Sequence, residues 1–538
     1  MSGRAVRLPG PARGRPTGVG PGLLLAACAA LMPLASDAAA QSAPLSAIPW
    51  LSESIRESAG PPPPRPPAPP PAPGTEEIVV TPLDALRRDA VGLLEPAETG
   101  LPRALWGPTT ATEAAARVAA APGRGVPAAS DLLRSLVLAD ADPPAGPDAG
   151  DALLVARIDR LLQDGALRDA QALIARAGPD TPELFRRWFD TGLLLDQVSE
   201  PCAALRQNPA LSPTLPARVF CLARGGDWNA AEITLTLGEN VGSISSDQQA
   251  LLARFLDPQI FEGEPDPPVP DPLTPLEFLM REAVGLPRPS GPLPLAFLNL
   301  DLGANAPLRM RMEAAERLMA SNGIAPQVLF DIYRTGKPAA SGGAWDRAAA
   351  VQALDAALAA PEPRPEAIGT ALVAADRAMA ERGLRAAFAE SYAEAFSALD
   401  PAPLGAEARA RLVRLLLLGD RPDAATAAAG PAPDAATATR LALAGAGREA
   451  APATDLERAA VAGIAARPPA EPREERLAAT IAEGRVGEGV LDALALVESG
   501  PTVDPTALEA ALFALVRAGQ ERAARRIAVQ TLILAEQA

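Results

Sequence analysis

The chain has 538 residues, 48% of them hydrophobic but only 3% aromatic, and a formal charge of −16. That length admits several domains or one extended array. An acidic surface repels phosphate backbones and excludes nucleic acid as an expected partner, and the complete lack of histidine excludes Ser-His-Asp and Cys-His catalysis and imidazole metal centres.

Residues 1–40 read as an address. Arg4, Arg7, Arg13 and Arg15 form a positive region, residues 23–35 (LLLAACAALMPLA) an apolar core, and Ala38-Ala39-Ala40 a cleavage site. This is the layout of a secretory signal peptide, too short in its apolar run to span a bilayer. Its removal takes four arginines and Asp37 away and moves the charge from −16 to −19. A second reading starts from Leu25-Ala26-Ala27-Cys28, which resembles a bacterial lipobox and implies a lipid anchor on Cys28. No later stretch reaches 18 apolar residues free of charge or proline. The expected product is a periplasmic protein with no transmembrane segment after cleavage.

Residues 41–149 follow as a low-complexity, proline-rich segment with short helices. The proline run at 61–73 is expected to be a stiff polyproline II spacer that holds a short amphipathic piece, carrying Ile48, Trp50, Leu51 and Ile55, away from the body. Residues 76–83 (EEIVVTPL) form the one β-type phrase. It resembles the TonB-contacting segment of outer-membrane receptors, which implies a large β-barrel that has no counterpart here; the other reading is a short extended docking segment.

From residue 150 the text turns regular and helical. Alanine, the strongest helix former, supplies much of the apolar content, and long Val/Ile/Thr alternation is almost absent. The 60 prolines and 43 glycines must fall mostly between helices. The expected fold class is all-α, an α-α superhelix of helical hairpins. A leucine four residues before a glycine, with an alanine five after it, occurs at Leu161/Gly165/Ala170, Leu222/Gly226/Ala231, Leu415/Gly419/Ala424, Leu441/Gly445/Ala450 and Leu515/Gly519/Ala524. Leucine packs the end of the first helix, glycine takes the left-handed cap, and alanine lets the second helix pass close by. In these phrases the chain resembles the tetratricopeptide-like (TPR/Sel1-like) superfamily, in a degenerate form without that family's full tryptophan-leucine-glycine-tyrosine pattern. The resemblance implies a solenoid with a broad protein-binding groove. One array is expected over 150–257, a proline-rich acidic linker over 258–272 and a second array over 273–538.

Export favours a disulfide between Cys202 and Cys221, joining neighbouring helices across a proline-containing loop; two buried thiols are the other reading. No catalytic, cofactor or metal site emerges. The loop 333–347 (YRTGKPAASGGAWDR) is the most distinctive: Lys337, the only lysine, with Trp345, Asp346 and Arg347 forms a candidate interaction site, and an inter-helix loop with Trp345 packed inside is the other reading. Trp188 and Trp228 read as core. Glu390-Ser391 resembles the catalytic phrase of lytic transglycosylases, which implies a peptidoglycan-active carboxylate site, but the family's downstream phrases are absent and Glu390 reads as a solvated helix residue. The arginine bias is what a GC-rich genome gives, and no function is read into it. The expected role is a protein-binding scaffold or chaperone-like subunit of a cell-envelope assembly, such as a flagellar motor or a secretion or export machine.

Overall fold

The computed structural model describes Ile48 and residues 87–122, 125–146, 150–212, 214–261, 263–338 and 342–536. The expected signal peptide with Cys28, the proline run at 61–73 and the phrase at 76–83 lie outside the described residues. Among the described residues all regular structure is helical, and the only extended pairings are two isolated bridges, Leu94 to Ala139 and Thr110 to Ala145.

Helix starts follow local chemistry. α1 (Pro96–Thr99) and α3 (Pro127–Leu138) begin on proline, whose missing N–H is an orphan at that position anyway. Before α2 (Ala111–Ala119), Thr110 and Glu113 close a capping box. Arg157, on α4 (Ala152–Asp164), reaches back to this region. Its guanidinium donates to the carbonyls of Val137 at 2.6 Å, Val91 at 2.8 Å and Ala139 at 2.9 Å. Burial pushes its pKa down to about 10, against the pull of Asp89 and Asp140. One buried arginine thus satisfies backbone that no helical ladder reaches.

The chain continues through α5 (Leu167–Ala177), α6 (Pro182–Leu194), α7 (Ser199–Gln207), α8 (Leu215–Arg224), α9 (Trp228–Asn240), α10 (Ser246–Leu256) and α11 (Pro275–Ala283). After a 3-10 segment over Leu295–Leu302 come α12 (Leu308–Ala320), α13 (Pro326–Arg334), α14 (Ala344–Leu358), α15 (Pro365–Ala380), α16 (Arg385–Ser391) and α17 (Ala393–Ser397). Then follow α18 (Ala406–Leu418), α19 (Pro422–Ala429), α20 (Ala435–Leu443), α21 (Asp455–Ile464), α22 (Pro472–Ala482), α23 (Val486–Leu496), α24 (Pro505–Arg517) and α25 (Glu521–Ala535). Along most of this run successive helices pack on one another, which is compatible with a helical repeat array.

The expected hairpin closures form at Gly165, Gly226, Gly445 and Gly519, each at positive φ, with the next residue's N–H bonded to the carbonyl of Leu161, Leu222, Leu441 or Leu515. Two details differ. At Gly419 the backbone is right-handed, φ −83°, and Asp420 takes the left-handed position at φ 57°. A Cβ on Gly419 would stand 2.8 Å from the Ala389 carbonyl oxygen, so this glycine serves close approach, not the turn. After Gly445 no helix begins at Ala450. Pro452 intervenes, and α21 starts only where Thr454 and Glu457 close a capping box.

Side chains sort into two main apolar cores with α6 as the wall between them: Leu184 and Leu194 enter the large one, Phe185, Phe189 and Leu193 the other. α11 returns onto α6, so Leu276 and Met280 share the second core with Phe220 and Leu252. The linker expected at 258–272 is therefore not where the cores part. Arg254 donates to the Pro265 carbonyl at 2.6 Å and Arg281 to those of Pro267 and Pro268 at 3.1 and 3.0 Å. These prolines stop helix, but two arginines hold them against the bundle. The apolar residues of α25 turn inward, with Ile527, Val529, Leu532 and Ile533 buried against α3, α18, α20, α21 and α24.

Candidate binding surface

α9 has two apolar faces. Ala231, Leu235 and Gly238 are buried, toward α8 and α10. Gly238 permits that approach, since a Cβ there would meet Ile244 Cδ1 at 2.5 Å. On the other side Ile233, Leu237 and Val241 follow at four-residue spacing, hence on one face, and are 61%, 58% and 70% exposed. Trp228, at the helix start, is 52% exposed, which corrects its expected place in the core: it precedes the turn that carries Ala231 inward. Trp188 is half-buried against both cores.

Single exposed apolar residues are ordinary on any protein, but a contiguous row marks a contact surface. Four of the five large apolar side chains that are exposed among the described residues lie on α9 or its ends. Over residues 228–253 there is no lysine or arginine, whereas Glu232, Glu239 and Asp247 are all acidic and Glu232 and Glu239 are exposed. The helix that carries the apolar stripe thus has only acidic charged side chains, Glu232 and Glu239, with the exposed Arg224 one turn before it. Beneath it Cys202 and Cys221 form a disulfide between α7 and α8, with Cα atoms 5.1 Å apart, and Phe189 meets Phe220 edge-on at 6.3 Å. Both fix the platform from below. A helix with one buried and one exposed apolar face has a weak amphipathic signal, which is why periodicity passes over it; the spacing Ile233–Leu237–Val241 opposite Ala231–Leu235 is the trace it leaves.

The candidate residues of the loop 333–347 are put to different uses. Arg347 is half-buried and clamps Glu316 with two bonds of 2.8 and 2.7 Å, beside the Tyr333 hydroxyl, which donates to the same carboxylate at 2.7 Å. Asp346 accepts from the Gly342 N–H at 3.0 Å, at the start of α14. Trp345 is half-buried against the large core, and Lys337 is exposed. The loop therefore does not gather these four side chains on one open face.

Glu390 is exposed at the rim of a polar cavity of about 170 Å³ that also touches Asp131, Arg134, Asn322 and Gln530. Partial burial, and then Asp131, raise its pKa; Arg526 and Arg134 pull it down. Both cations are engaged between helices, Arg526 with Asp131 at 3.0 Å and Arg134 with Asp169 at 2.6 Å. Among the described residues no three acidic or cysteine side chains gather as a metal site, and no helix is long and apolar enough to cross a membrane.

A second concavity, of about 690 Å³, lies between the end of α4 and the segments 269–273 and 289–295. Its wall includes Leu162, Val269, Leu273, Leu293 and Leu295, and Ile48. Ile48 is 4% exposed. The expectation that the residues before the proline run stand away from the body fails at this side chain, because an apolar groove is there to take it.

Comparison with protein-family models, with curated proteins and with solved structures finds no match for this chain.

Proposed function

We propose that the chain is an exported protein-binding scaffold of the cell envelope, an array of tetratricopeptide-like hairpins that docks a protein partner on α9 and performs no catalysis. The observation that carries this reading is the exposed row Ile233, Leu237 and Val241 with Trp228, on a helix whose charged side chains are all acidic. Its chemistry fits an amphipathic segment with apolar anchors and a basic rim. The disulfide supports an oxidising compartment, and with the signal-peptide reading that compartment is the periplasm. A structural or chaperone-like place in a flagellar motor or in a secretion or export machine suits such a surface.

The test places a photo-crosslinking residue at Leu237, and for comparison at the exposed Arg168 on α5, in the native cell. A discrete protein adduct is expected from position 237 alone, and it disappears when Ile233→Asp and Val241→Asp are added to a chain whose helical circular dichroism is unchanged. The same adducts from both positions, or an adduct indifferent to the two aspartates, would sink the proposal.

A further inference from the structure

A further polar cavity, of about 240 Å³, lies where the starts of α8, α10 and α11 meet α6. Among the described residues that line it none belongs to α9. We infer that it binds a small zwitterion, a free α-amino acid, with the carboxylate held inside by Arg186 and the ammonium held at the mouth by Asp247 and Asp271. Arg186, on α6, is 2% exposed and forms part of the cavity wall. Its Nε donates to Asp190 at 2.8 Å, and its two amino groups take no hydrogen bond. A buried cation with idle donors beside a polar void calls for an anionic partner.

The three helix starts strengthen the same pole. Each presents the positive end of its dipole and its first-turn N–H groups, and the N-cap residues Thr214, Ser245 and Thr274 all line the cavity. Ser245 and Thr274 close capping boxes, whereas the Thr214 side chain makes no cap bond, so the first turn of α8 keeps donors open. Of the carboxylates in the wall, Glu277 is buried and engaged: it accepts from the Thr274 N–H at 3.0 Å, the Thr274 hydroxyl at 2.8 Å and Gln248 at 3.4 Å. Asp247 and Asp271 are exposed and stand outside any ion pair. Charge therefore runs from positive inside to negative at the mouth. A simple anion is repelled at the entrance and a simple cation is stopped by Arg186, whereas a molecule carrying both charges satisfies both ends. The volume equals that of roughly eight waters, which suits a small amino acid and is too little for a helical peptide.

The test is equilibrium dialysis of the full chain against radiolabelled glycine, L-alanine, L-serine and L-glutamine. At least one is expected to bind saturably, one per chain. Its N-acetyl derivative, its amide and acetate each lack one of the two charges and compete at least roughly tenfold more weakly. Arg186→Gln made together with Asp190→Asn, which leaves neither charge of that pair buried alone, abolishes binding. Asp247→Asn with Asp271→Asn weakens the amino acid roughly tenfold and brings it level with its N-acetyl derivative. Failure of all four amino acids to bind, or acetate competing as well as the bound amino acid, overturns the inference. Should the Arg186 and Asp190 variant fail to fold, the two exposed aspartates decide alone, and amino-acid binding unchanged by their substitution overturns it equally.

Discussion

Arginine, which makes up all but one of the 49 basic residues, is the commonest fastener between helices here. Its planar fork gives two parallel bonds to one carboxylate, which a lysine cannot do. Arg187, fully buried on α6, grips Asp159 of α4 at 2.7 and 2.9 Å. Arg385 grips Asp376 at 2.6 and 3.0 Å. A genomic bias in composition and a structural use of the same residue are not alternatives, and only the structure tells which arginines are committed. Arg467 joins Glu474 at the start of α22, with contacts of 2.8 and 2.6 Å, to Glu509 of α24 at 2.6 Å. The bond to Arg467, aided by the Ala470 N–H and opposed by burial, lowers the Glu474 pKa. A carboxylate with a depressed folded pKa contributes stability that is complete above its unfolded value and is lost as pH falls through the folded one. Glu474→Gln is therefore expected to cost about 2 kcal/mol at neutral pH, with the difference from wild type shrinking below about pH 4. Urea unfolding of both chains between pH 3 and pH 7 reads this directly; a difference constant with pH would mean that Glu474 acts through shape and not charge.

At the scale of the element, the link between α7 and α8 has the plainest consequence. Cys202 and Cys221 are 19 residues apart and both buried in the second core. Closing a loop of that length restrains the unfolded chain by about 3 kcal/mol. The double substitution Cys202→Ser with Cys221→Ser is expected to lower the unfolding free energy by about that amount, and reductant to act on the wild type only as slowly as the second core opens. Equal urea midpoints with and without the bond would remove it as a stabilising element. This pairing was legible from two cysteines in a chain expected to be exported, as were the helices and four of the five glycine closures, because a cap is a local event set by a few adjacent residues. What was not legible depends on neighbours distant in sequence. Nothing near Gly419 announces the Ala389 carbonyl that makes glycine necessary there. The outward stripe of α9 could not be told from core without knowing which face α8 and α10 cover, and the committed roles of Arg347 and Asp346 could not be told from free recognition groups.

Across the whole molecule, the run of hairpins is closed by contacts that join early residues to the last helices. The Ala128 N–H at the start of α3 donates to Gln530 Oε1 on α25 at 2.7 Å. The Gly487 N–H of α23 donates to the Leu105 carbonyl at 2.8 Å, and a Cβ on Gly487 would collide with the Trp106 ring at 2.8 Å. The large core thus draws on residues from both ends of the described chain, α25 among them, whereas the second core is built from one continuous stretch between Phe185 and Leu286. Continuity in sequence makes the second core cheap to form and able to open alone, since few of its contacts require distant chain. Ile533 in the first core and Phe220 in the second separate the two cases, both being nearly fully buried. Phe220→Ala is expected to cost about 3–5 kcal/mol and Ile533→Ala about 2–5 kcal/mol, but with different reach. Hydrogen exchange should accelerate over α7–α11 without spreading beyond the second core for Phe220→Ala, and over α3, α18, α20, α21 and α24 together for Ile533→Ala. If either substitution speeds exchange evenly over the whole chain, the two cores unfold as one, and the platform under the α9 stripe has no independence from the array that carries it.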